Sequence, residues 1–162
     1  MTIPNPQPAT TQASGPTHPN APRACLSRRY RFSASHRLHA EGFTPAQNLA
    51  AFGKCANPHG HGHNYTVEVT FAGPVSPVTG MVCDLGELDS FAQTNLLACF
   101  DHMNLNTLPA FHALVPTTEN LTLEVSRIFQ QFTGAQLHAV RIEETGNNSF
   151  EYLPAPQKGQ TA

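Results

Sequence analysis

The sequence predicts an α+β fold in which an antiparallel four-stranded sheet is combined with two helices. Two kinds of periodicity lead to this prediction. Apolar residues alternate with polar ones in four segments, and they recur at helical spacing in two others. The elements follow one another as strand, strand, helix, helix, strand, strand, an order typical of α+β proteins with an antiparallel sheet.

Alternation places the strands. Tyr30, Phe32 and Ala34 alternate with polar residues in the first strand, and the second repeats the pattern more strongly from Tyr65 to Phe71. Gly146-Asn147-Asn148 forms a turn suited to a tight hairpin between the last two strands. The predicted strands cover residues 30–36, 65–71, 137–144 and 150–153.

Capping residues place the helices. Asp84 is predicted as the N-cap of the first helix because Glu87 follows three residues later, as in a capping box. The second helix is predicted to start at Thr117 or Thr118 and to stop at Gly134. The first helix carries a rough apolar stripe formed by Leu85, Leu88, Phe91, Leu96 and Phe100.

The folded domain is predicted at residues 25–153. Residues 1–24 are rich in proline, threonine, asparagine, glutamine and serine, with hardly any large apolar side chain. Such a composition buries too little surface to offset the entropy of ordering, so this segment is predicted to be a disordered tail. Residues 154–162 are interpreted as a second, frayed tail.

Composition narrows the class of protein. A chain of 162 residues is long enough for one domain with its own core. The formal net charge is −2 and only 12% of residues are charged, which argues against nucleic acid or a membrane as partner. Four cysteines without a CxxC pair, no signal-peptide pattern and no long apolar run predict a reduced, cytoplasmic protein.

Histidines provide the strongest chemical signal, since nine of them occur in this short chain. His61 and His63 lie two residues apart at the start of the second strand, so their side chains point to the same side. His36 ends the first strand. Three neutral imidazoles with an open fourth position describe a catalytic zinc site. His59 lies on the same alternation, and spacing alone does not exclude it as a ligand.

Further candidates allow two interpretations each. Asp101 and His102 can form an acid–base relay, or Asp101 can cap the next turn. Glu119 is either functional or an ordinary first-turn acid favoured by the helix dipole. Glu143 and Glu144 end a strand, where one acid is expected to be solvated and the other to face inward.

Together these segments resemble the 6-pyruvoyl-tetrahydropterin synthase family. Six motifs occur in the family's order over about residues 30 to 153. They are Phe32-Ser33-Ala34-Ser35-His36-Arg37-Leu38, Phe52-Gly53-Lys54-Cys55 running into His61-Gly62-His63-Asn64-Tyr65, Thr79-Gly80-Met81-Val82, Asp101-His102-Met103-Asn104-Leu105, Thr117-Thr118-Glu119-Asn120, and Glu144-Thr145.

The resemblance implies the tunnelling fold, in which subunits join their sheets into a barrel, and a homohexamer with active sites at subunit interfaces. It implies Zn²⁺ on His36, His61 and His63, which leaves His59 outside the ligand set. The remaining site residues are implied as well: Cys55 as catalytic thiolate, Asp101 and His102 as an acid–base set across a subunit boundary, Glu144 as the carboxylate that anchors the pterin, and Thr117, Thr118 and Glu119 in the pterin pocket.

The implied reaction converts 7,8-dihydroneopterin triphosphate to 6-pyruvoyl-tetrahydropterin with release of triphosphate, a step of tetrahydrobiopterin biosynthesis. Five residues separate Cys55 from His61, which is similar to this branch. An alternative is 6-carboxytetrahydropterin synthesis for deazapurines such as queuosine, and a second is a non-catalytic zinc- or pterin-binding protein. The triphosphate needs local cations, for which the candidates are Arg28, Arg29, Arg31, Arg37 and Lys54.

Overall fold

The computed structural model describes residues 21–155. Within them, one sheet is formed by β1 (Arg23–His36), β2 (His61–Pro74), β3 (Met103–Asn104), β4 (Gln136–Thr145) and β5 (Asn148–Tyr152). The α-helices are α1 (Pro45–Phe52), α2 (Leu85–Ala92), α3 (Ala98–Phe100) and α4 (Thr118–Phe129). Short 3₁₀ turns occupy Gly53–Ala56, Leu105–Thr107 and Pro109–Phe111.

The sheet is mixed and has five strands, so the predicted four-stranded antiparallel sheet is wrong in one respect. The four expected strands are present and pair antiparallel, but β3 adds a short parallel edge beside β1, giving the order β3-β1-β2-β4-β5. The Asp101 carboxylate accepts from the Ser33 amide at 2.9 Å, and the His102 amide donates to the Ser33 carbonyl at 2.6 Å. These contacts bring two residues alongside β1, too few to show any alternation in the sequence.

The first strand starts earlier than predicted. Arg23 and Ala24 already pair with Pro74 and Gly73 at the far end of β2, so the last two residues of the predicted tail belong to the sheet. Pro154 and Ala155 follow β5 without regular structure. Residues 1–20 and 156–162 of the two predicted tails lie outside the described residues.

The helices differ from the prediction in their length and number. Asp84 caps α2 through the Gly86 and Glu87 amides, and Thr117 caps α4, as expected. A π-helical turn at Gln93–Leu97 interrupts the first predicted helix. The buried stripe consists of Leu88, Ala92, Leu96 and Phe100, whereas Leu85 is exposed. The sequence analysis missed α1, which begins with a capping box between Thr44 and Gln47.

The core lies between one face of the sheet and helices α2 and α4. Alternate residues of β1 and β2 are buried there, with Val67, Val69 and Phe71 fully enclosed. Phe129 of α4 packs on this face, with its ring centroid 6.1 Å from Tyr30 and 6.3 Å from Phe71. None of the helices in residues 21–155 has the length and apolar character needed to cross a membrane.

Candidate metal centre and active site

The buried faces of β1 and β2 end in histidines. His36 continues the buried series Phe32 and Ala34 of β1, and His61 and His63 precede Tyr65 on the same face of β2. The strand register pairs His36 with His61 and Ala34 with His63. The alternation that places apolar side chains in the core therefore also places three imidazoles together at one end of the sheet.

Gly60 allows this arrangement. Its φ is +67°, and a Cβ atom there would lie 2.8 Å from the carbonyl oxygen of His36. A side chain at this position would meet both a backbone clash and a left-handed conformation that L residues rarely adopt. The glycine before His61 therefore lets the two strand ends approach closely.

The three imidazoles form a potential metal cage. Their ligating nitrogens all lie within 4.8 Å of one another, and the Nε2 atoms of His36 and His61 are 3.1 Å apart. His63 Nε2 is buried and has no hydrogen-bond partner among the described residues. A buried polar atom without a partner is costly, and a metal ion would satisfy it. The donor set therefore fits a bound metal ion.

Burial favours the neutral form of two of the three imidazoles. Desolvation lowers the pKa of His36, and the neighbouring imidazoles lower it further, against the raising effects of Pro116 and Glu144. Desolvation likewise lowers the pKa of His63. Neutral imidazoles keep the nitrogen lone pair that a metal ion requires.

The carbonyl of Pro116 orients His36. It lies 2.8 Å from His36 Nδ1, and since a carbonyl can only accept, Nδ1 carries the proton and the Nε2 lone pair faces the cage. The hydroxyl of Tyr65 is 3.5 Å from the same Nδ1. The sequence analysis assigned neither residue a role: Pro116 acts through its backbone, and Tyr65 looks like an ordinary core residue of a strand.

Glu144 lies at the edge of the cage. Its Oε1 is 3.8 Å from His36 Nε2 and 3.7 Å from His63 Nε2, and it accepts a 2.6 Å hydrogen bond from the Thr118 hydroxyl. Thr117 uses its hydroxyl as a helix cap, accepting from the Asn120 amide, and Glu119 is exposed. The structure thus joins Glu144 and Thr118 to the histidines, while Thr117 and Glu119 lie further along the same turn.

Cys55 lies close to the same site. It is half-buried in the 3₁₀ turn after α1, and its carbonyl accepts from the Leu38 amide at 2.9 Å, which ties the turn to the end of β1. Burial raises the pKa of the Tyr65 phenol, and the charges of Glu144 and Cys55 raise it further.

Asp101 and His102 lie at the sheet edge. The His102 ring is 83% exposed and its Nε2 is 3.7 Å from the Asp101 carboxylate. Within residues 21–155, no hydrogen bond links the pair to the three histidines. His59 is also exposed and is not part of the three-histidine cage.

Three imidazoles that can hold one metal ion, beside a carboxylate on an α+β sheet, are typical of a metal-dependent enzyme. A sequence model of the 6-pyruvoyl tetrahydropterin synthase family matches residues 25–155. The chain belongs to this family, so the family and the lyase class expected from the motifs are confirmed.

Individual relatives agree with the family match. The chain is 44% identical over 142 residues to a 6-pyruvoyl tetrahydrobiopterin synthase of Drosophila melanogaster, covering 85% of this chain and 84% of the relative. It is 42% identical to the Homo sapiens protein of the same name, covering 80% and 91%. The solved 6-pyruvoyl tetrahydropterin synthase of Caenorhabditis elegans superposes with a TM-score of 0.79 at 38% identity, covering 83% of this chain and 98% of that chain.

Proposed function

We propose that this protein converts 7,8-dihydroneopterin triphosphate to 6-pyruvoyl-tetrahydropterin and releases inorganic triphosphate, with Zn²⁺ held by His36, His61 and His63. The observation that carries the proposal is the cage of three histidines whose ligating nitrogens lie within 4.8 Å of one another, found in a chain that matches the 6-pyruvoyl tetrahydropterin synthase family. The substrate's internal redox change needs no nicotinamide or flavin.

The spacing of the cage supports zinc. Ring nitrogens bound to one tetrahedral zinc at 2.0–2.1 Å lie about 3.3 Å apart, close to the 3.1 Å between the Nε2 atoms of His36 and His61. When bound to three neutral ligands, zinc keeps its full dipositive charge and lowers the pKa of hydroxyl groups near it.

Glu144 is the proposed pterin anchor. The Thr118 hydroxyl holds one carboxylate oxygen at 2.6 Å, and Thr118 itself is almost fully buried, so the carboxylate has a fixed direction. An ionised carboxylate offers about four acceptor sites. Glu144 can therefore accept from the amino and ring N–H groups of a pterin while it keeps its bond to Thr118. Thr117 and Glu119 belong to the proposed pocket through the same helix start.

Cys55 is the proposed base. As a thiolate it would remove a proton from the side-chain carbon next to the pterin ring. Its support is the 2.9 Å hydrogen bond from the Leu38 amide to the Cys55 carbonyl, which ties its turn to the chain just after the proposed ligand His36. Cys55→Ala should reduce turnover to background while zinc content and unfolding free energy stay near those of the parent. Cys99→Ala, an exposed cysteine away from the cage, is the matched control. Near-normal turnover of Cys55→Ala would remove the thiol from the mechanism.

Asp101 and His102 are proposed to return protons to substrate bound on a neighbouring subunit, within a homohexamer whose sheets form a barrel. The support is their exposed place at the sheet edge, without hydrogen bonds to the three histidines of their own chain. Cys55→Ala and His102→Ala can be unfolded, mixed and refolded together. Shared sites would regain activity in the mixture that neither parent shows. Absence of any recovery, with mixed oligomers verified by mass, would contradict the shared site.

A cytoplasmic location is also proposed. Its support is that Cys25, Cys55, Cys83 and Cys99 form no disulfide within residues 21–155. Cell fractionation tests this: we expect recovery in the cytosolic fraction, and recovery in a secreted or organellar fraction would contradict it.

One assay tests the reaction as a whole. The zinc-loaded protein is incubated with 7,8-dihydroneopterin triphosphate, and the pterin product is identified by mass. We expect 6-pyruvoyl-tetrahydropterin and triphosphate without stoichiometric acetaldehyde, read with a coupled alcohol dehydrogenase. One acetaldehyde per triphosphate would assign the protein to the carboxy-forming branch instead. Pterin binding without any product would assign it to the non-catalytic class.

A further inference from the structure

The end of β1 that carries His36 is held differently on its two sides. On one side it pairs with β2, where His36 lies opposite His61. On the other side, among the described residues, the strand β3 covers only Ala34 and Ser35. The chain then leaves the sheet in the 3₁₀ turn Leu105–Thr107. The ladder of β3 therefore ends before it reaches the candidate metal ligand.

The side chain of Asn106 continues this edge. Its Oδ1 accepts from the Arg37 amide at 2.7 Å, and its Nδ2 donates to the Arg37 carbonyl at 2.9 Å. A neighbouring strand would satisfy the same two kinds of backbone group. The amide of Asn106 thus takes the place of the strand partner that β1 no longer has.

The position of Asn106 follows the register of β3. Arg37 and its partner are 69 residues apart in the sequence, which is also the separation of the paired residues Ser35 and Asn104. Asn104 in turn holds the 3₁₀ turn, because its Oδ1 accepts from the Asn106 amide at 3.1 Å. The turn therefore places an amide side chain where a further pair of the ladder would lie.

Arg37 matters because it directly follows His36. The Nε2 atoms of His36 and His61 are 3.1 Å apart, and the Pro116 carbonyl fixes the tautomer of His36 from the other side of its ring. The strand that carries the other two histidines is paired separately with β4. A shift of the backbone at His36 would therefore move one ligand relative to the other two, and zinc requires all its nitrogen ligands at about 2.0–2.1 Å.

We propose that Asn106 is a positioning residue of the metal centre. By clamping the backbone of Arg37, it holds His36 where a zinc ion can share it with the other two histidines. The inference rests on the proposed function only in the assignment of zinc to this cage. The clamp itself joins groups of the protein alone and can be tested without turnover.

Asn48 provides a matched control. Its side chain makes the same two-point clamp on another residue, accepting from the Ala40 amide at 2.8 Å and donating to the Ala40 carbonyl at 3.1 Å. Asn48 is only 2% exposed, whereas Asn106 is exposed. Replacing Asn48 should therefore cost more stability than replacing Asn106, although the residue that it clamps lies further from His36.

The test is chelator competition for zinc, combined with urea unfolding of the metal-free proteins. Asn106→Ala should weaken zinc binding by about three- to tenfold, less than the loss of a group bonded directly to a ligand. Asn106→Asp keeps the acceptor for the Arg37 amide and should bind zinc with an affinity between those of the parent and Asn106→Ala. Asn48→Ala should lose more stability but keep the parent's zinc affinity, because a chain that stays folded binds metal with the affinity of its site.

The pattern across the variants separates positioning from general damage to the fold. Equal zinc affinities in the parent and Asn106→Ala would overturn the inference. Equal losses of affinity in Asn106→Ala and Asn48→Ala would also overturn it, because the effect would then follow stability rather than position. Either result together with normal product formation would leave the proposed function standing. A parent without zinc affinity would overturn both the inference and the zinc assignment, and the expected pattern without any pterin product would support Asn106 and reject the proposed reaction.

Discussion

Thr118→Val should reveal how much the protein depends on the bond that holds Glu144. The Thr118 hydroxyl donates to the Glu144 carboxylate at 2.6 Å, and Thr118 is only 3% exposed. Valine has nearly the same shape, so the substitution removes the donor and leaves the packing. A hydrogen bond to a charged group contributes about 1.5–3 kcal/mol. We expect the free energy of unfolding to fall by about that amount.

Thr122→Val is a matched control on the same helix. Thr122 is 2% exposed, and its hydroxyl donates to the Thr118 carbonyl at 2.7 Å, a neutral acceptor within the helix. Its loss should cost only about 0.5–1.5 kcal/mol, since no charge is involved. Urea unfolding of the metal-free proteins measures both values.

Activity supplies the second readout. If Glu144 anchors the pterin, Thr118→Val should raise KM by about tenfold, because an anchor of less fixed direction loses about 1.4 kcal/mol of binding free energy. Thr122→Val should keep the parent's KM. Thr118→Ser restores the hydroxyl and should recover both KM and stability. Equal losses of stability in the two valine variants, or an unchanged KM for Thr118→Val, would refute the positioning of Glu144 by Thr118.

Two further predictions concern the cage. Burial lowers the pKa of His36 and of His63 below the ordinary 6.5, so between those values the unfolded chain binds more protons than the folded one. The metal-free protein should therefore lose stability as pH falls below about 6.5, by about 1.4 kcal/mol per pH unit for each proton taken up on unfolding. Urea unfolding at a series of pH values measures this slope. A free energy of unfolding that does not change with pH would contradict the prediction. Gly60→Ala should lower zinc content and stability more than Gly80→Ala, because both glycines have positive φ but only at Gly60 would the new Cβ meet a backbone oxygen, at 2.8 Å. Equal losses would mean that the strand ends tolerate the methyl group.

The sequence predicts best the parts in which one periodicity runs without interruption. The alternation through Tyr65 and Phe71 places β2, and Thr117 marks the start of α4, because both signals are local. The alternation also brings His61 and His63 to one face, and the structure adds His36 as the direct neighbour of His61. The register between two strands depends on how they pair in the folded protein, and it cannot be predicted from the sequence of one strand alone.

The missed features share a different cause. The two residues of β3 are held by contacts from Asp101 and His102 to the backbone of Ser33, far away in the sequence. The π-helical turn interrupts the regular spacing of the first predicted helix directly after Ala92, which is fully buried where the stripe predicted Phe91. Pro116 orients His36 through a carbonyl oxygen that every residue type possesses. Each of these features depends on contacts between residues that are distant in the sequence, and the pattern of side chains along the chain does not predict such contacts.

The location of the cage would couple metal binding to folding in this chain. The three histidines occupy the positions that would hold the last apolar residues of the buried sheet face, so the core ends in polar groups. Pro116 satisfies one nitrogen of His36, but His63 Nε2 has no hydrogen-bond partner in residues 21–155. A buried polar atom without a partner destabilises the fold, and a metal ion bound only by the folded chain would offset that penalty. The alternation that builds the buried sheet face thus also places the three candidate ligands at its end, where an ion would stabilise the fold.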